Sequence, residues 1–226
     1  MTSNIPIITI DGLSGSGKTT VSRLLSEKLE WYLLDSGVLY RALAYLIHLK
    51  SIDIQSPNKI YELLSNFELS TTDKSHMYNV IYKNEDISGY LYGEEVGEDA
   101  SKIAKIQFVR DMLLPIQHAC HKLPGLIANG RDMGTKVFPG ASLKIFFIAD
   151  VEIRAKRRHK ELLEKGKNVE FNRVLSSLKA RDDTDQNRSI SPLKPADDAQ
   201  ILDSSHLNIE SVLDKIYELY TISRVK

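Results

Sequence analysis

A glycine-rich segment near the start of the sequence has the spacing needed to hold nucleotide phosphates. Gly12 and Gly17 are separated by four residues, and Lys18 and Thr19 follow directly. In this pattern backbone N–H groups wrap the α- and β-phosphates, the lysine reaches the β- and γ-phosphates, and the hydroxyl helps to hold Mg²⁺. The predicted nucleotide-binding residues are Gly12, Leu13, Ser14, Gly15, Ser16, Gly17, Lys18, Thr19 and Thr20.

Arginines placed after apolar segments form a second pattern that could do chemistry. Arg131 directly precedes Asp132 and follows the apolar residues 126–128, whereas Arg181 and Arg188 lie in one dense polar stretch. Guanidinium groups bind phosphate through two parallel hydrogen bonds. Phosphoryl transfer needs such groups to neutralise the charge of the group in transit. The arginines therefore favour phosphoryl transfer over a purely structural role for the glycine-rich segment.

Composition and missing motifs argue against several other classes of protein. The 226 residues hold 30 Lys and Arg and 30 Asp and Glu, so bulk charge gives no attraction to polyanions. No Asn-Lys-x-Asp motif occurs, and no Asp-x-x-Gly follows a second strand at the spacing of a switch GTPase. The single cysteine fits a reducing compartment. With no signal peptide and no long apolar run, we expect a cytoplasmic protein that does not span a membrane.

The apolar pattern around these residues predicts a parallel sheet flanked by helices. A β-branched run precedes the glycine-rich segment, and Val21, Leu25 and Leu29 recur after it at helical spacing. Strands that alternate with helices indicate an α/β fold, in which ligands bind beyond the carboxyl ends of the strands. The predicted strands cover residues 5–10, 33–34, 126–128, 143–148 and 201–202.

Two parts of the chain depart from this alternation. Residues 51–98 alternate like short strands and contain a hairpin pattern around 84–86, which predicts an inserted β-containing subdomain separate from the main sheet. Helical periodicity returns over residues 103–123. The basic run at 154–160 fits a helical lid over about residues 152–190, although a solvated helix face or an RNA-binding surface are alternatives. The core then comprises about residues 1–50 and 100–226.

Four collinear motifs resemble those of bacterial cytidylate kinases. They are the glycine-rich segment with Lys18, Asp35-Ser36-Gly37-x-x-Tyr40-Arg41, Gly130-Arg131-Asp132-Met133-Gly134-Thr135, and Arg181-Asp182-Asp183-x-Asp185-x-x-Arg188. The resemblance covers essentially the whole chain. It implies a P-loop nucleoside monophosphate kinase with a substrate-binding insert and a lid. It also implies in-line phosphoryl transfer from ATP, with Mg²⁺, to CMP or dCMP, giving CDP or dCDP without a covalent enzyme intermediate.

The same resemblance implies roles for individual residues. The acceptor-site residues are Ser36, Arg41, Ser101, Arg110, Arg131, Asp132, Arg181, Asp185 and Arg188. Ser101, Arg110 and Asp132 would read the cytosine. Arg41, Arg131 and Arg188 would hold phosphate, and Arg181 with Asp185 would hold the sugar. The catalytic residues would be Lys18, Arg131 and Arg188, with Thr19 as metal ligand and Arg158 as a lid contact to ATP.

Two positions depart from the family pattern. Thr19 follows the loop lysine where the family usually has Gly, and Asn129 stands where the family commonly has an acid. Two other functions stay open at this point: a P-loop kinase for another nucleoside monophosphate or a metabolite such as shikimate, and a nucleotide-gated RNA-binding protein. The expected partners are the nucleotides CMP, dCMP and ATP, without nucleic acid or membrane, and the expected state is a monomer.

Overall fold

The computed structural model describes residues 5–72 and 75–223. Eight strands are present in these residues: β1 Ile7–Gly12, β2 Tyr32–Asp35, β3 Phe67–Thr72, β4 Ser75–Tyr82, β5 Glu85–Asp86, β6 Leu126–Gly130, β7 Leu143–Ile148 and β8 Gln200–Asp203. The α-helices are α1 Lys18–Leu29, α2 Ser36–Leu49, α3 Pro57–Leu64, α4 Glu94–Ile103, α5 Gln107–His118, α6 Val151–Glu164, α7 Phe171–Asn187 and α8 Ile209–Ser223. A π-helical turn, Met133–Val137, follows β6.

The strands form one sheet in the order β3-β4-β2-β6-β1-β7-β8, with β5 beside β4. The five strands from β2 to β8 in this order are mutually parallel, which confirms the predicted α/β fold. β1 lies in their centre and is buried along its whole length. Its side chains alternate between two apolar clusters, Ile7 on one face and Ile8 and Ile10 on the other. Burial on both faces explains why the strand appears in the sequence as an unbroken apolar run.

The strands of residues 51–98 belong to the main sheet, so the prediction of a separate β-structure is wrong. β4 pairs in parallel with β2 through Leu33 and Met77, and β3 and β5 pair antiparallel with β4. The predicted hairpin is confirmed, but its turn is formed by Lys83 and Asn84, with φ values of 49° and 67°. Glu85–Asp86, which the sequence pattern placed in the turn, form β5 and pair with β4. An edge strand leaves backbone groups open for pairing. Local alternation predicts a strand but does not reveal which edge it joins.

The helix predicted over residues 103–123 is shorter and is preceded by a separate helix. α4 begins inside the predicted insert, and α5 ends at His118. Beyond it, the N–H groups of Cys120 and His121 donate to carbonyls only three residues back, which tightens and ends the last turn. None of the helices in residues 5–72 and 75–223 has both the length and the apolar character to cross a membrane.

The helices cover the two faces of the sheet and leave one helical pair with its own small core. α1 and α8 pack on the face of Ile8 and Ile10, while α2, α3 and α5 pack on the opposite face. α6 and α7 pack against each other through Ala155, Leu162 and Val174. This pair, which contains most of the predicted lid, therefore has an apolar cluster separate from the two that sandwich the sheet.

Candidate active site

The phosphate loop, residues 12–17, connects the carboxyl end of β1 to the first turn of α1. A Cβ atom on Gly12 would lie 2.2 Å from the Phe147 carbonyl oxygen, and the φ of Gly12 is 143°. Gly17 caps α1 with a φ of 91°. Both glycines are required because other residues rarely adopt these backbone angles. The loop could therefore offer backbone N–H groups at the start of α1 to an anion.

Lys18 is a buried cation within this loop. Its Nζ donates to the Leu13 carbonyl oxygen at 2.6 Å, and the Ser16 hydroxyl donates to the same oxygen at 2.9 Å. Burial and the nearby charge of Arg131 hold the pKa of Lys18 well below its ordinary value, against the opposing effect of Asp35. A bound phosphate would supply the negative charge that stabilises the protonated amine.

Oxygen atoms suited to a metal ion lie at the ends of β2 and β6. Asp35 and Asn129 are neighbours in the register of these strands. The Asn129 amide donates to Thr19 Oγ1 at 3.1 Å, and Asn129 Oδ1 is buried without a hydrogen-bond partner among the described residues. Burial raises the pKa of Asp35, while Lys18 and Arg41 lower it. Hydroxyl, amide and carboxylate oxygens are the donors that Mg²⁺ prefers, so this donor set fits that ion.

All nine predicted acceptor-site residues line one cavity of about 210 Å³, together with Lys18 and Thr19 of the phosphate loop. The residues come from α2, α4, α5, α7 and the segment after β6, and they lie far apart in the sequence. They are Ser36, Arg41, Ser101, Arg110, Arg131, Asp132, Arg181, Asp185 and Arg188. The fold therefore brings the four motifs to one place.

A buried ion pair lines this cavity. Arg110 donates to the Asp132 carboxylate and, at 3.2 Å, to the Ala104 carbonyl. The ring of Tyr40 covers the Arg110 guanidinium, 5.8 Å from ring centroid to guanidinium carbon. Burial raises the pKa of Tyr40 to about 12, so the phenol stays protonated. The arrangement presents a fixed donor and a fixed acceptor side by side, as recognition of a base edge requires.

The same cavity is also lined by further guanidinium groups. Arg131 Nε donates to Asp185 at 2.8 Å, and Arg188 Nε donates to the Ser191 carbonyl at 2.5 Å. Arg181 Nε and Arg188 Nη2 are buried with no hydrogen-bond partner in the described part of the chain. Burial and the charge of Arg131 lower the pKa of Arg181 to about 10. Burial would raise the pKa of Asp185, but Arg131 and Arg188 lower it overall. A bound phosphate would supply hydrogen-bond acceptors and negative charge to Arg181 and Arg188.

Arg41 faces the cavity but hydrogen-bonds to backbone groups before α4. It donates to the carbonyls of Leu91 and Gly93 at 3.0 and 3.3 Å. A Cβ on Gly97 would lie 3.0 Å from both terminal nitrogens of Arg41. Ser36, at the start of α2, is held by a hydrogen bond to Gln117 of 2.9 Å.

A larger cavity of about 1070 Å³ shares the phosphate loop with the first and is lined by α6, α7 and the start of α8. The three arginines of the basic run differ in position. Arg154 is 3% exposed and donates to the Ala149 and Ser14 carbonyls, whereas Arg157 donates to the Ser204 carbonyl at 2.6 Å. Arg158 lines this cavity, and its hydrogen-bond partner within the described residues is Glu161, at 2.9 Å.

Asp11 is a functional candidate that the sequence pattern did not reveal. Its carboxylate accepts from the N–H groups of Met133 and Gly134 at 2.9 and 2.8 Å, and so it fixes the turn that follows Arg131 and Asp132. Burial raises the pKa of Asp11 to about 6, although these two N–H groups lower it. An acid inside an otherwise apolar buried strand could have pointed to this role.

Comparison with known proteins identifies the family. A family model described as cytidylate kinase matches residues 8–222. The chain belongs to the cytidylate kinase family. The cytidylate kinase of Klebsiella pneumoniae (strain 342) is 47% identical over 215 residues, which is 95% of each chain. That of Photobacterium profundum is 46% identical, over 94% of this chain and 93% of the relative. Membership of the cytidylate kinase family makes the protein an enzyme, and specifically a kinase that uses ATP.

A solved structure of an uncharacterized protein from Eubacterium ventriosum ATCC 27560 shares the fold of this cytidylate kinase family member. It covers 96% of this chain and 98% of its own, with a TM-score of 0.53 and 14% sequence identity. At that identity the likeness supports the fold alone. The predicted P-loop kinase fold and family are confirmed, since the family model matches residues 8–222, nearly the whole chain.

Proposed function

We propose that the protein transfers the γ-phosphoryl group of ATP to the phosphate of CMP or dCMP, producing ADP and CDP or dCDP. The observation that carries the proposal is the shared cavity: Lys18 and Thr19 of the phosphate loop face the same space as the Arg110–Asp132 pair. Donor and acceptor phosphates can therefore meet within one enclosure, as direct in-line transfer requires.

Positive charge at the meeting point would stabilise the transferring group. Lys18 would contact the β- and γ-phosphates of ATP, and Arg131 and Arg188 would hold the acceptor phosphate and the group in transit. The Thr19 hydroxyl would hold Mg²⁺, with Asn129 contributing its unpartnered oxygen, and the ion would neutralise charge on the β- and γ-phosphates. Because these groups are already in place and partly desolvated, they need little reorganisation during the reaction.

The Arg110–Asp132 pair would select cytosine. A carboxylate only accepts hydrogen bonds, so Asp132 can receive the cytosine N4–H but repels the O4 of uracil. Arg110 only donates, so it suits O2 and N3 of cytosine and opposes the N3–H of uracil. The ion pair and the ring of Tyr40 hold both groups in position before substrate enters. Arg181 and Asp185 would bind the sugar.

About residues 152–190, which include most of α6 and α7, would form a lid that closes over ATP. Arg158 would contact the ATP phosphates. Exclusion of water keeps ATP from being hydrolysed instead of transferred. Residues 51–98 would form the substrate-binding insert. We place the enzyme in the cytoplasm as a monomer, and light scattering at several protein concentrations would detect any larger assembly.

Release of ADP over a panel of acceptors tests the proposed function. With ATP and Mg²⁺, we expect rapid ADP formation with CMP and dCMP and much slower formation with UMP, AMP and shikimate. If ADP forms faster with UMP, AMP or shikimate than with CMP and dCMP, the acceptor assignment is wrong.

An RNA-binding function of the basic run is tested separately by fluorescence anisotropy with a single-stranded RNA at 50 and 200 mM salt. Arg154 and Arg157 both donate to carbonyl groups of the protein, which favours a structural use of the run. Strong salt-sensitive RNA binding without CDP formation would favour the alternative.

A further inference from the structure

Arg154 has an unusual position for a residue in a basic surface run. Its guanidinium is 3% exposed and joins three separate parts of the chain. Nε donates to the Ala149 carbonyl at 2.8 Å, and Nη1 donates to the Ser14 carbonyl at 3.0 Å. Nη1 also lies 2.7 Å from Oδ2 of Asp182. The end of β7, the phosphate loop and α7 therefore all meet at one buried cation on α6.

The contact with Ser14 sets the orientation of a peptide group in the phosphate loop. The Ser14–Gly15 bond is trans, so its N–H points opposite to its carbonyl. With the Ser14 carbonyl held on Arg154, the N–H of Gly15 points away from the Arg154 guanidinium, and Gly15 lines both cavities. A Cβ on Gly15 would be 3.6 Å from that of Arg154, so loop and helix are in contact.

The contact with Asp182 sets the position of α7 in the same way. Asp182 lies beside Arg181 and one turn before Asp185, and both of these line the acceptor cavity. The second carboxylate oxygen of Asp182, Oδ1, is buried and has no hydrogen-bond partner in the described part of the chain. The negative charge of the buried Asp182 carboxylate is therefore compensated by Arg154.

We propose that Arg154 and Asp182 form a positioning pair that couples the ATP site to the acceptor site. The inference rests on the proposed function, because it assigns ATP to the phosphate loop and CMP to the cavity beside α7. Phosphate bound at Gly15 steadies the peptide that Arg154 holds, and Arg154 in turn steadies the helix that carries Arg181 and Asp185. Neither member of the pair touches substrate.

The test measures CMP binding by calorimetry with and without a non-hydrolysable ATP analogue, together with steady-state kinetics. The variant is Asp182→Asn, which keeps the shape and removes the charge. Asp183→Asn is the matched control, because it makes the same chemical change at the exposed neighbouring residue, whose contact is to Asn187. All measurements are made well below the melting temperature of each variant.

We expect the analogue to tighten CMP binding to the wild-type enzyme about fivefold or more, the usual lower range for coupled sites. In Asp182→Asn this factor should fall below about two, and kcat at saturating substrates should fall at least about tenfold. Asp183→Asn should keep the wild-type values. A lowered melting temperature with the wild-type coupling factor and kcat would show a purely structural pair and overturn the proposal.

A second variant keeps the proposal testable if Asp182→Asn does not fold. Arg154→Lys retains the charge but cannot span the Ala149 and Ser14 carbonyls and Asp182 with one fork. We expect it to lose the coupling as well, and an unchanged coupling factor would overturn the proposal. Failure of the proposed function gives a different result, because wild-type enzyme would then form no CDP, whereas failure of the coupling leaves the wild type active.

Discussion

Lys18 shows how a residue can be unfavourable for the free protein and still, under the proposed function, be required for its reaction. Burial lowers the pKa of its amine well below the ordinary value, and its hydrogen-bond partner is a neutral carbonyl. A cation in this state is poorly compensated until an anion binds. Under the proposed function, binding of ATP phosphates would replace this weak contact by a charged one, at the position where charge develops during transfer.

Lys18→Met should separate catalysis from stability. Methionine keeps the length of the apolar stem and removes the buried charge, so the melting temperature should be unchanged or higher. The value of kcat should fall by about 10² to 10³ or more, the usual loss when a preorganised charge-stabilising donor is removed. Lys160→Met, whose side chain is 80% exposed, is the control. Turnover near wild type would remove Lys18 from the mechanism.

Asp132→Asn should relax the choice of base. The amide can rotate and donate, so it can satisfy the O4 of uracil, and it no longer compensates Arg110 fully. The ratio of kcat/KM for CMP to kcat/KM for UMP should fall by a factor that corresponds to about 1–3 kcal/mol, the usual discrimination of one base-edge contact. Steady-state kinetics with both nucleotides measures this ratio. If it stays constant within error, Asp132 only orients Arg110 and does not contact the base.

At the scale of elements, the packing of α4 against α2 depends on a missing side chain. Gly97 lies in the interior of α4, where glycine is unfavourable by about 1 kcal/mol relative to alanine. The Arg41 guanidinium of α2 occupies the space that a Cβ at this position would approach. The helix therefore contains a poor helix former at the point where Arg41, a predicted acceptor-site residue, lies against it.

Gly97→Ala should raise helix stability and weaken substrate binding at the same time. The melting temperature should stay the same or rise, because alanine favours the helix and the crowded atoms are the mobile end of Arg41. Displacement of Arg41 should raise KM for CMP several-fold, with little change in KM for ATP. Gly89→Ala is the control, since nothing lies within 4 Å of its added Cβ. Equal KM values for CMP in the two variants would contradict the assignment of Arg41 to the acceptor phosphate.

At the scale of the whole molecule, Asp11 links the centre of the sheet to the turn that carries Arg131. Burial raises its pKa from 3.8 to about 6. The folded state therefore binds this proton more tightly than the unfolded state does. The contribution to stability is fully present below pH about 4 and is lost as pH rises to about 6, on the order of 3 kcal/mol in total.

Asp11→Asn should remove this part of the pH dependence. Asparagine keeps one oxygen acceptor for the two N–H groups, so it adds a loss of stability that does not vary with pH. Measured by urea unfolding from pH 4 to 7, the unfolding free energy of the variant minus that of wild type should become more positive up to about pH 6 and then level off. Asp183→Asn, at an exposed position, should give a flat difference. A flat difference for Asp11→Asn as well would mean that the carboxyl is not protonated near neutral pH.

Much of the fold could be predicted because its signals are local. The runs that became β1, β6 and β7 are buried along nearly their whole length, so most of their residues are apolar, and the polar exceptions include Asp11, Asn129 and Lys144. The pairing of β4 with β2 could not be predicted, because it depends on which backbone edge is open in the assembled sheet. Helix α4 was not predicted either, because Glu94–Ile103 contains only two large apolar residues, Val96 and Ile103, and so gives a weak helical pattern.

The sequence by itself determined the family, the phosphate loop and the residue types of the acceptor site. Glycine spacing, a lysine and arginines after strands carry that information locally, because the required backbone angles and charges belong to single residues. Only the tertiary structure decided which charges pair with each other: Arg110 with Asp132, Arg131 with Asp185, and Arg154 with Asp182. Each pairing depends on burial and on the distance between elements remote in sequence. That is why Arg154 appeared in the sequence as part of a surface run and lies in the structure between the phosphate loop and α7.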